Sequence, residues 1–427
     1  MAADRHTLVV LDPGHFHAAL SLRKAHPRLN DDIHVFAEDG PDVDAFLAIV
    51  QSFNQRAQAP TGWKLHVHRG PDPLARLRAQ RPGDVVILAG RNDRKMDWIA
   101  ALHADGFHVL GDKPWVIDAS QLPQLHAATA GAALAMDIMT ERHEVATRLQ
   151  KTLMARPEIF GSLRTGGDEP AIDLRSVHHL YKLVNGKPLV RPAWYFDTAV
   201  QGEGMTDVNT HLADLAQWMT GGDEPFDFDR DVALSDARQW PTAVPREMFS
   251  RITGLPDFPA ALRANVVGDA LQYLCNAQLF YRLRGVPVRI ESLWHLAIPE
   301  GGGDTHYAAV RGTRADLVIE QGPATRFVAQ LSVRPVGPDP QFAQRLAAAL
   351  DELQSEFPGV RADAGAGRLH IAIPAALRTT HEEHFAEVLD EFLGLVDGKP
   401  IPRALRPNLV AKYTLLVRAR ERAQRTA

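Results

Sequence analysis

Across its first 135 residues the chain alternates strand-like and helix-like patterns, and this constrains the fold more than any other feature. Thr7–Leu11 (TLVVL) is a short apolar run, and HAALSLRKA after it reads as a helix through Ala25. Asp32–Asp39 (DIHVFAED) reads as a second strand and VDAFLAIVQSFNQRA as a second helix. Trp63–His68 (WKLHVH) is a third strand, and DPLARLRAQ a helix that Asp72 is placed to cap. Asp84–Gly90 (DVVILAG) is apolar throughout, as a strand covered on both faces must be. A helix ending at Gly106 follows, then the strand FHVLGDKP, the helical ASQLPQLHAATAG and the strand ALAMDIM. This alternation predicts an α/β protein with a parallel, doubly wound, Rossmann-like sheet.

The pattern changes after about Thr140. EVATRLQKTLMA is helical, and GEGMTDVNTHLADLAQWM reads as a glycine loop and a helix. From Val286 onward β-like runs alternate with glycine and proline, which predicts a mostly antiparallel sheet. TTHEEHF opens a further helix with a capping box, Thr380 to Glu383. With 427 residues the chain exceeds one hydrophobic core, so more than one domain is expected. The expected division is a nucleotide-binding domain over 1–138, a second α/β domain over 139–407 and a terminal helix over 408–427 packing back on the body.

Composition excludes several classes. Net charge is −5 and there is no long basic run, which argues against nucleic acid. No run of 18 apolar residues occurs, so no membrane span is expected. The N-terminus lacks an apolar leader, which makes the cytoplasm the expected compartment. Cys275 is the only cysteine, so no disulfide framework and no thiolate metal site is available within one chain.

Four groups of residues carry chemistry. Ligands of open parallel sheets sit beyond the carboxyl ends of the strands. Asn92, ending one strand, and Lys113, held extended before Pro114 at the end of another, therefore face the cleft. The spacing alone equally suits a surface lysine at a turn. Second, Asp207, His211, Asp214 and Trp218 fall on one helical stripe beside the apolar stripe of Val208, Leu212, Leu215 and Met219. Imidazole and carboxylate on one stripe suit proton transfer, with a solvated amphipathic face and a metal site as the other readings. Third, EDGPDVD carries Glu38, Asp39, Asp42 and Asp44 with no Lys or Arg, which favours the ribose hydroxyls of NAD over the 2′-phosphate of NADP. Fourth, LDPGHFHAAL stands where a dinucleotide-binding loop would read G-x-G-x-x-G. Only Gly14 remains of the three glycines. His15 and His17, at a helix start that favours anions, are candidates to replace lost backbone donors, or they pack and cap the helix start. Two further polar clusters, TERHE around Arg142 and VHHLYK with His178 and His179, are candidate substrate contacts, the second together with Trp194 and Tyr195.

Taken together, GRN (Gly90–Asn92), DKP (Asp112–Pro114), GFHVLGDKPW and GEGMTDVNTHLADLAQW resemble the Gfo/Idh/MocA family of NAD(P)-dependent sugar and cyclitol oxidoreductases. The likeness covers most of the chain, with an expanded middle over 226–287. It implies a catalytic lysine at Lys113 and a catalytic pair at Asp207 and His211, with His211 as general base. Asp214 would orient the His211 ring and Arg142 would bind substrate. It further implies a cofactor site of Asp12, Gly14, His15, His17, Glu38, Asp39, Asn92 and Lys113, with substrate contacts at Arg142, His178, Trp194 and Asp214 and no metal. One alignment puts Asp12, Gly14 and His17 at the three glycine positions; another makes Gly14 the last of them. The activity implied is NAD-dependent oxidoreduction at a secondary hydroxyl of a carbohydrate or polyol, by a homodimer or homotetramer. Family members that use NAD in a redox-neutral glycosidase or lyase cycle, and a non-enzymatic sugar-responsive sensor, are the alternatives; a metal-dependent hydrolase is more distant.

Overall fold

The computed structural model describes residues 5–184, 187–365 and 367–426, and the chain folds into two compact units. The first comprises 1–140, 199–202 and 380–417. Its strands are β1 (His6–Leu11), β2 (Leu29–Ala37), β3 (Lys64–Arg69), β4 (Val85–Leu88), β5 (His108–Gly111) and β6 (Ala135–Asp137). They pair in the order β3-β2-β1-β4-β5-β6, all parallel, which is the expected Rossmann-like arrangement. The connecting helices are α1 (His17–Leu20), α2 (Pro41–Gln55), α3 (Pro73–Gln80), α4 (Asn92–Ala104) and α5 (Leu122–Ala130). Val85, Val86, Ile87 and Leu88 are all buried, which explains the unbroken apolar run of β4.

Local features depart from the expectations. The first helix is a single turn, and the backbone continues in tight i→i+3 bonds from Leu22 to Ala19 and from Arg23 to Leu20 instead of reaching Ala25. Asp72 takes a left-handed conformation and its side chain makes no capping bond. Asn92 is the first residue of α4, not the last of a strand. Gly106, at φ 83°, closes α4 as expected.

The C-terminal stretch expected with the second domain folds instead with the first. The helix His381–Val396 buries Phe385, Val388, Leu389, Phe392 and Leu393 in the same core as Leu8, Val10, Ile33, Val35 and Ile87. The expected capping box opens it, with the Glu383 side chain accepting from the Thr380 N–H at 2.9 Å. On the same helix, Asp390 and at its end Asp397 pair with Arg28 at 2.6 and 3.2 Å, and Asp397 with His6 at 2.7 Å.

The second unit holds 141–198, 203–379 and 418–427. Its main sheet has ten strands, with Ile172–Tyr181 (β7) near its middle. Strands Val286–Ala297 and β7 pair in parallel; the other pairs among the described residues are antiparallel. The expanded middle supplies the long hairpin-like pair Val232–Pro245 and Ala270–Leu283 at one side of this sheet. Its helices include α6 (Val145–Met154) and α8 (Asn209–Gly221); between them in chain order α7 (Thr198–Gln201) lies mostly in the first unit. No helix among the described residues is long and apolar enough to cross a membrane.

Burial gives this fold a pH dependence. His103 and His108 have pKa values pushed below the ordinary 6.5, first by burial. The unfolded chain therefore binds these protons before the folded one does. Their contribution is complete above about pH 6.5 and is lost as the pH falls through that value. Urea denaturation is expected to give a lower midpoint at about pH 5.5 than at about pH 7.5, and His103→Gln to narrow the gap. Equal gaps in the two proteins would refute the assignment.

Candidate functional site

The strand order of the first unit's parallel sheet reverses between β1 and β4, and the crevice at such a switch point is where open α/β sheets bind ligands. Asp12 leaves β1 with φ 49° and fills this crevice. Its carboxylate lies so close to Gly90 that a Cβ there would sit 1.9 Å from Oδ2, which is why a glycine stands two residues beyond β4. The Asp12 carboxylate accepts from the Arg91 N–H at 3.3 Å and from Arg94 Nη2 at 3.1 Å. Arg94 also reaches Glu38 at 2.8 Å and stacks over Trp98. Arg91 lies 3.6 Å from Asp42, and Arg69 pairs with Asp44 at 2.6 Å and Asp39 at 3.4 Å. The acidic turn, free of cations in sequence, is thus lined with three guanidinium groups in space.

The glycine-turn region is also closed inward. The Gly14 N–H donates to the Asp12 carbonyl and the His15 N–H to the Ala89 carbonyl, both at 2.8 Å. Two amides that a glycine-rich loop would offer to phosphate are therefore spent within the protein. The two histidine rings turn to Asp112, just beyond β5: His15 Nδ1 is 2.9 Å from one carboxylate oxygen and His17 Nδ1 3.0 Å from the other. Burial alone would raise the Asp112 pKa, but His17 and His15 hold it well below the usual carboxylate range. Burial drives the His17 and His15 pKa values down. An ionised carboxylate only accepts, so each ring donates to it from Nδ1.

Asn92 donates to the Gln201 carbonyl at 2.7 Å. The fully buried Lys95, one turn along α4, donates to Asn92 Oδ1 and, at 2.9 Å, to the Asp112 carbonyl. Sequence reasoning missed Lys95 and Arg94 because charged residues on a helix ordinarily mark its wet face. The only local signal was their nearness to Asn92. Lys113 follows Asp112 directly and joins Pro114 through a cis peptide.

In the second unit, the loop before α8 packs tightly on the sheet. The Gly204 N–H donates to the Leu274 carbonyl at 2.9 Å, and a Cβ on Gly204 would meet the Cys275 carbonyl at 2.2 Å. This presses Asp207 into the interior, where its charge adds to burial in raising the pKa of Tyr195 and Tyr273. His211 stands in the first turn of α8, with Leu212, Leu215 and Met219 on the buried face. Asp214, expected to orient His211, has both oxygens engaged by Arg142 at 2.6 and 2.7 Å, and Arg142 lies 6.0 Å from the Trp218 ring. Two substrate candidates, Arg142 and Asp214, are thus one ion pair.

His178 and Trp194 come to another place, a cluster of Tyr195, Phe196, Tyr273, Phe249 and Trp294. The His178 ring lies 5.0 Å from Trp294, and Trp194 packs at the cluster's edge. Asp304, unnoticed in the sequence, lies 2.9 Å from His179 Nδ1 and 2.7 Å from Lys182 Nζ. Burial opposes its ionisation, yet His178 and Lys182 hold its pKa well below the usual range. A cleft of about 550 Å³ on the sheet is lined by Arg175, His306, Tyr307, Gln321 and Arg368, and none of the predicted site residues borders it.

Residues 149–424 match the family model described as "Putative oxidoreductase C terminal domain". The crystal structure of a putative oxidoreductase from Parabacteroides merdae is 38% identical, with 100% of this chain and 99% of that one covered at a TM-score of 0.96. The chain belongs to the Gfo/Idh/MocA-type oxidoreductases. More distant relatives share the fold of this oxidoreductase. GenD2 from gentamicin A biosynthesis, in complex with NAD, is 14% identical, with 100% and 96% covered and a TM-score of 0.58. A mutant of KijD10, a 3-ketoreductase from Actinomadura kijaniata in complex with TDP-benzene and NADP, is 14% identical, with 98% of each chain covered and a TM-score of 0.57. No match was found among curated proteins.

Proposed function

We propose that this oxidoreductase is NAD-dependent and acts on a secondary hydroxyl of a sugar, sugar acid or cyclitol. The observation that carries the reading is the Rossmann-like sheet with a carboxylate, Glu38, immediately after β2. Glu38 and Asp39 suit the adenosine ribose hydroxyls, and the loop of Asp12, Gly14, His15 and His17 lies at the pyrophosphate end. At the ribose end Glu38 is shared with Arg94 at 2.8 Å, and at the loop two amides are spent within the protein. Asn92 and Lys113 belong to the carboxyl edge of the same sheet.

When bound, the nucleotide supplies the hydride acceptor. The chain's own groups do the rest. His211 takes the hydroxyl proton as general base, since imidazole exchanges protons near neutrality. Lys113 holds the reacting oxygen, and Asp207 positions the substrate or Lys113. Arg142 and Asp214, and separately His178 and Trp194, contribute substrate contacts. The relatives' complexes with NAD and NADP support a nicotinamide cofactor. The acids at the β2 turn favour NAD, although Arg94 and Arg91 beside them reduce the discrimination. A homodimer or homotetramer completes the reading, because an open sheet can pair its face with a second copy.

The test is to denature the purified protein, assay the supernatant for NAD(H) and NADP(H), and titrate the nucleotide-free protein with NADH and NADPH by fluorescence. NADH is expected to bind about tenfold more tightly than NADPH, a difference of about 1.4 kcal/mol. Released, tightly held NAD would favour a redox-neutral cycle; exchangeable NAD would favour net oxidation. Failure of both nucleotides to bind at millimolar concentration would overturn the proposal.

A further inference from the structure

We propose that His15, His17 and Asp112 bind one divalent transition-metal ion of the zinc or cobalt(II) class. His15 comes from the loop after β1, His17 from the first residue of α1 and Asp112 from just beyond β5, and their donor atoms lie within 4.8 Å of one another. The His15 and His17 Nδ1 atoms stand 2.9 and 3.0 Å from the two Asp112 oxygens. Ligands bound at about 2.0–2.1 Å to a small cation are separated by roughly 3 Å, so these spacings need little adjustment. Two imidazoles and one carboxylate are a donor set that such metals favour over magnesium or calcium.

The site is built rather than assembled by chance on a surface. Asp112 and His17 are buried, and the His15 side chain is 19% exposed, which leaves a way in. The His15 and His17 rings are 4.0 Å apart, and Phe385 from the helix His381–Val396 packs 4.6 Å from His17. These contacts fix the ring planes before any ion arrives. Binding at Nδ1 requires that each ring carry its hydrogen on Nε2 instead. Two neutral ligands and one carboxylate leave the bound ion with a net positive charge and open positions for water or an anionic oxygen. Lys95 and Lys113 act on His15 with the same sign as the ion, which sets the affinity below that of an isolated site with this donor set. The proposal shares His15 and His17 with the nucleotide reading but does not rest on it, because the ion is held by protein side chains alone.

The test uses the full chain, stripped with chelator, dialysed and titrated with Co(II) without nucleotide. One ion per chain is expected, with visible d–d bands of a low-symmetry site, and Zn(II) should displace it. His15→Gln is expected to weaken Co(II) binding by roughly a hundredfold and to erase the bands. Asp112→Asn should do the same. His15 is the most exposed of the three, so its variant decides the matter if the buried Asp112 variant fails to fold; circular dichroism checks both. Absence of stoichiometric binding, or unchanged binding in His15→Gln, would overturn the proposal.

Discussion

Turnover on a polyol or sugar substrate falls by about two to four orders of magnitude when His211 is replaced by Asn, while NADH affinity stays the same. This is the largest catalytic effect expected from the proposed mechanism. The ordinary pKa of imidazole lies near neutrality, so its loss leaves hydroxyl deprotonation without an efficient acceptor. Asparagine keeps much of the size and hydrogen-bonding capacity of the ring but cannot take the proton. The buried face of α8, carrying Leu212, Leu215 and Met219, is untouched, so the thermal midpoint should barely move. The pH profile separates roles: the wild-type rise in kcat with pH should vanish in the variant. Lys113→Ala should likewise lower kcat, through loss of the charge that holds the reacting oxygen. Retention of more than about a tenth of wild-type turnover by His211→Asn would remove it from the mechanism.

Lys412→Met is expected to cost about 3–5 kcal/mol of stability, the largest structural effect. Lys412 Nζ lies 2.8 Å from the Asp137 carboxylate, and the two side chains are 2% and 5% exposed. Tyr413, beside Lys412 in the helix Leu405–Thr426, donates its hydroxyl to the same carboxylate at 3.0 Å. Removing the ammonium leaves a carboxylate at the end of β6 buried beside a neutral hydroxyl. The cost is therefore mostly that of the stranded charge and not of the lost attraction. The double variant Lys412→Met with Asp137→Asn should recover a large part of the loss. Denaturation midpoints of the single and double variants measure this directly. A double variant no more stable than Lys412→Met would show that the carboxylate's charge is not the source.

Much of the first unit is legible along the chain. The all-apolar β4, Gly106 closing α4 and the pairing of Thr380 with Glu383 are local signals, because period, capping and strand burial act over a few neighbouring residues. Local patterns fail where local geometry competes with long-range contacts. Asp72 has the residue type of a cap, but the chain enters α3 through a left-handed turn that the type does not announce. The composition of the first helix suits a longer one. In the fold it ends after one turn, its first residue His17 tied to Asp112, 95 residues away in sequence.

Hydrophobic period and motif order are properties of the chain, and they carry the class of this protein. They specify a parallel sheet followed by a mostly antiparallel one, with lysine, aspartate and histidine at spacings that resemble one oxidoreductase family. The electrostatics arise only on folding. Arg94 meets Glu38 across 56 residues, His15 meets Asp112 across 97, and Arg142 meets Asp214 across 72. Folding likewise brings the helix His381–Val396 back to complete the first core. Charges interact through space at a few ångströms, and separation along the chain says nothing of that distance until the sheets have formed.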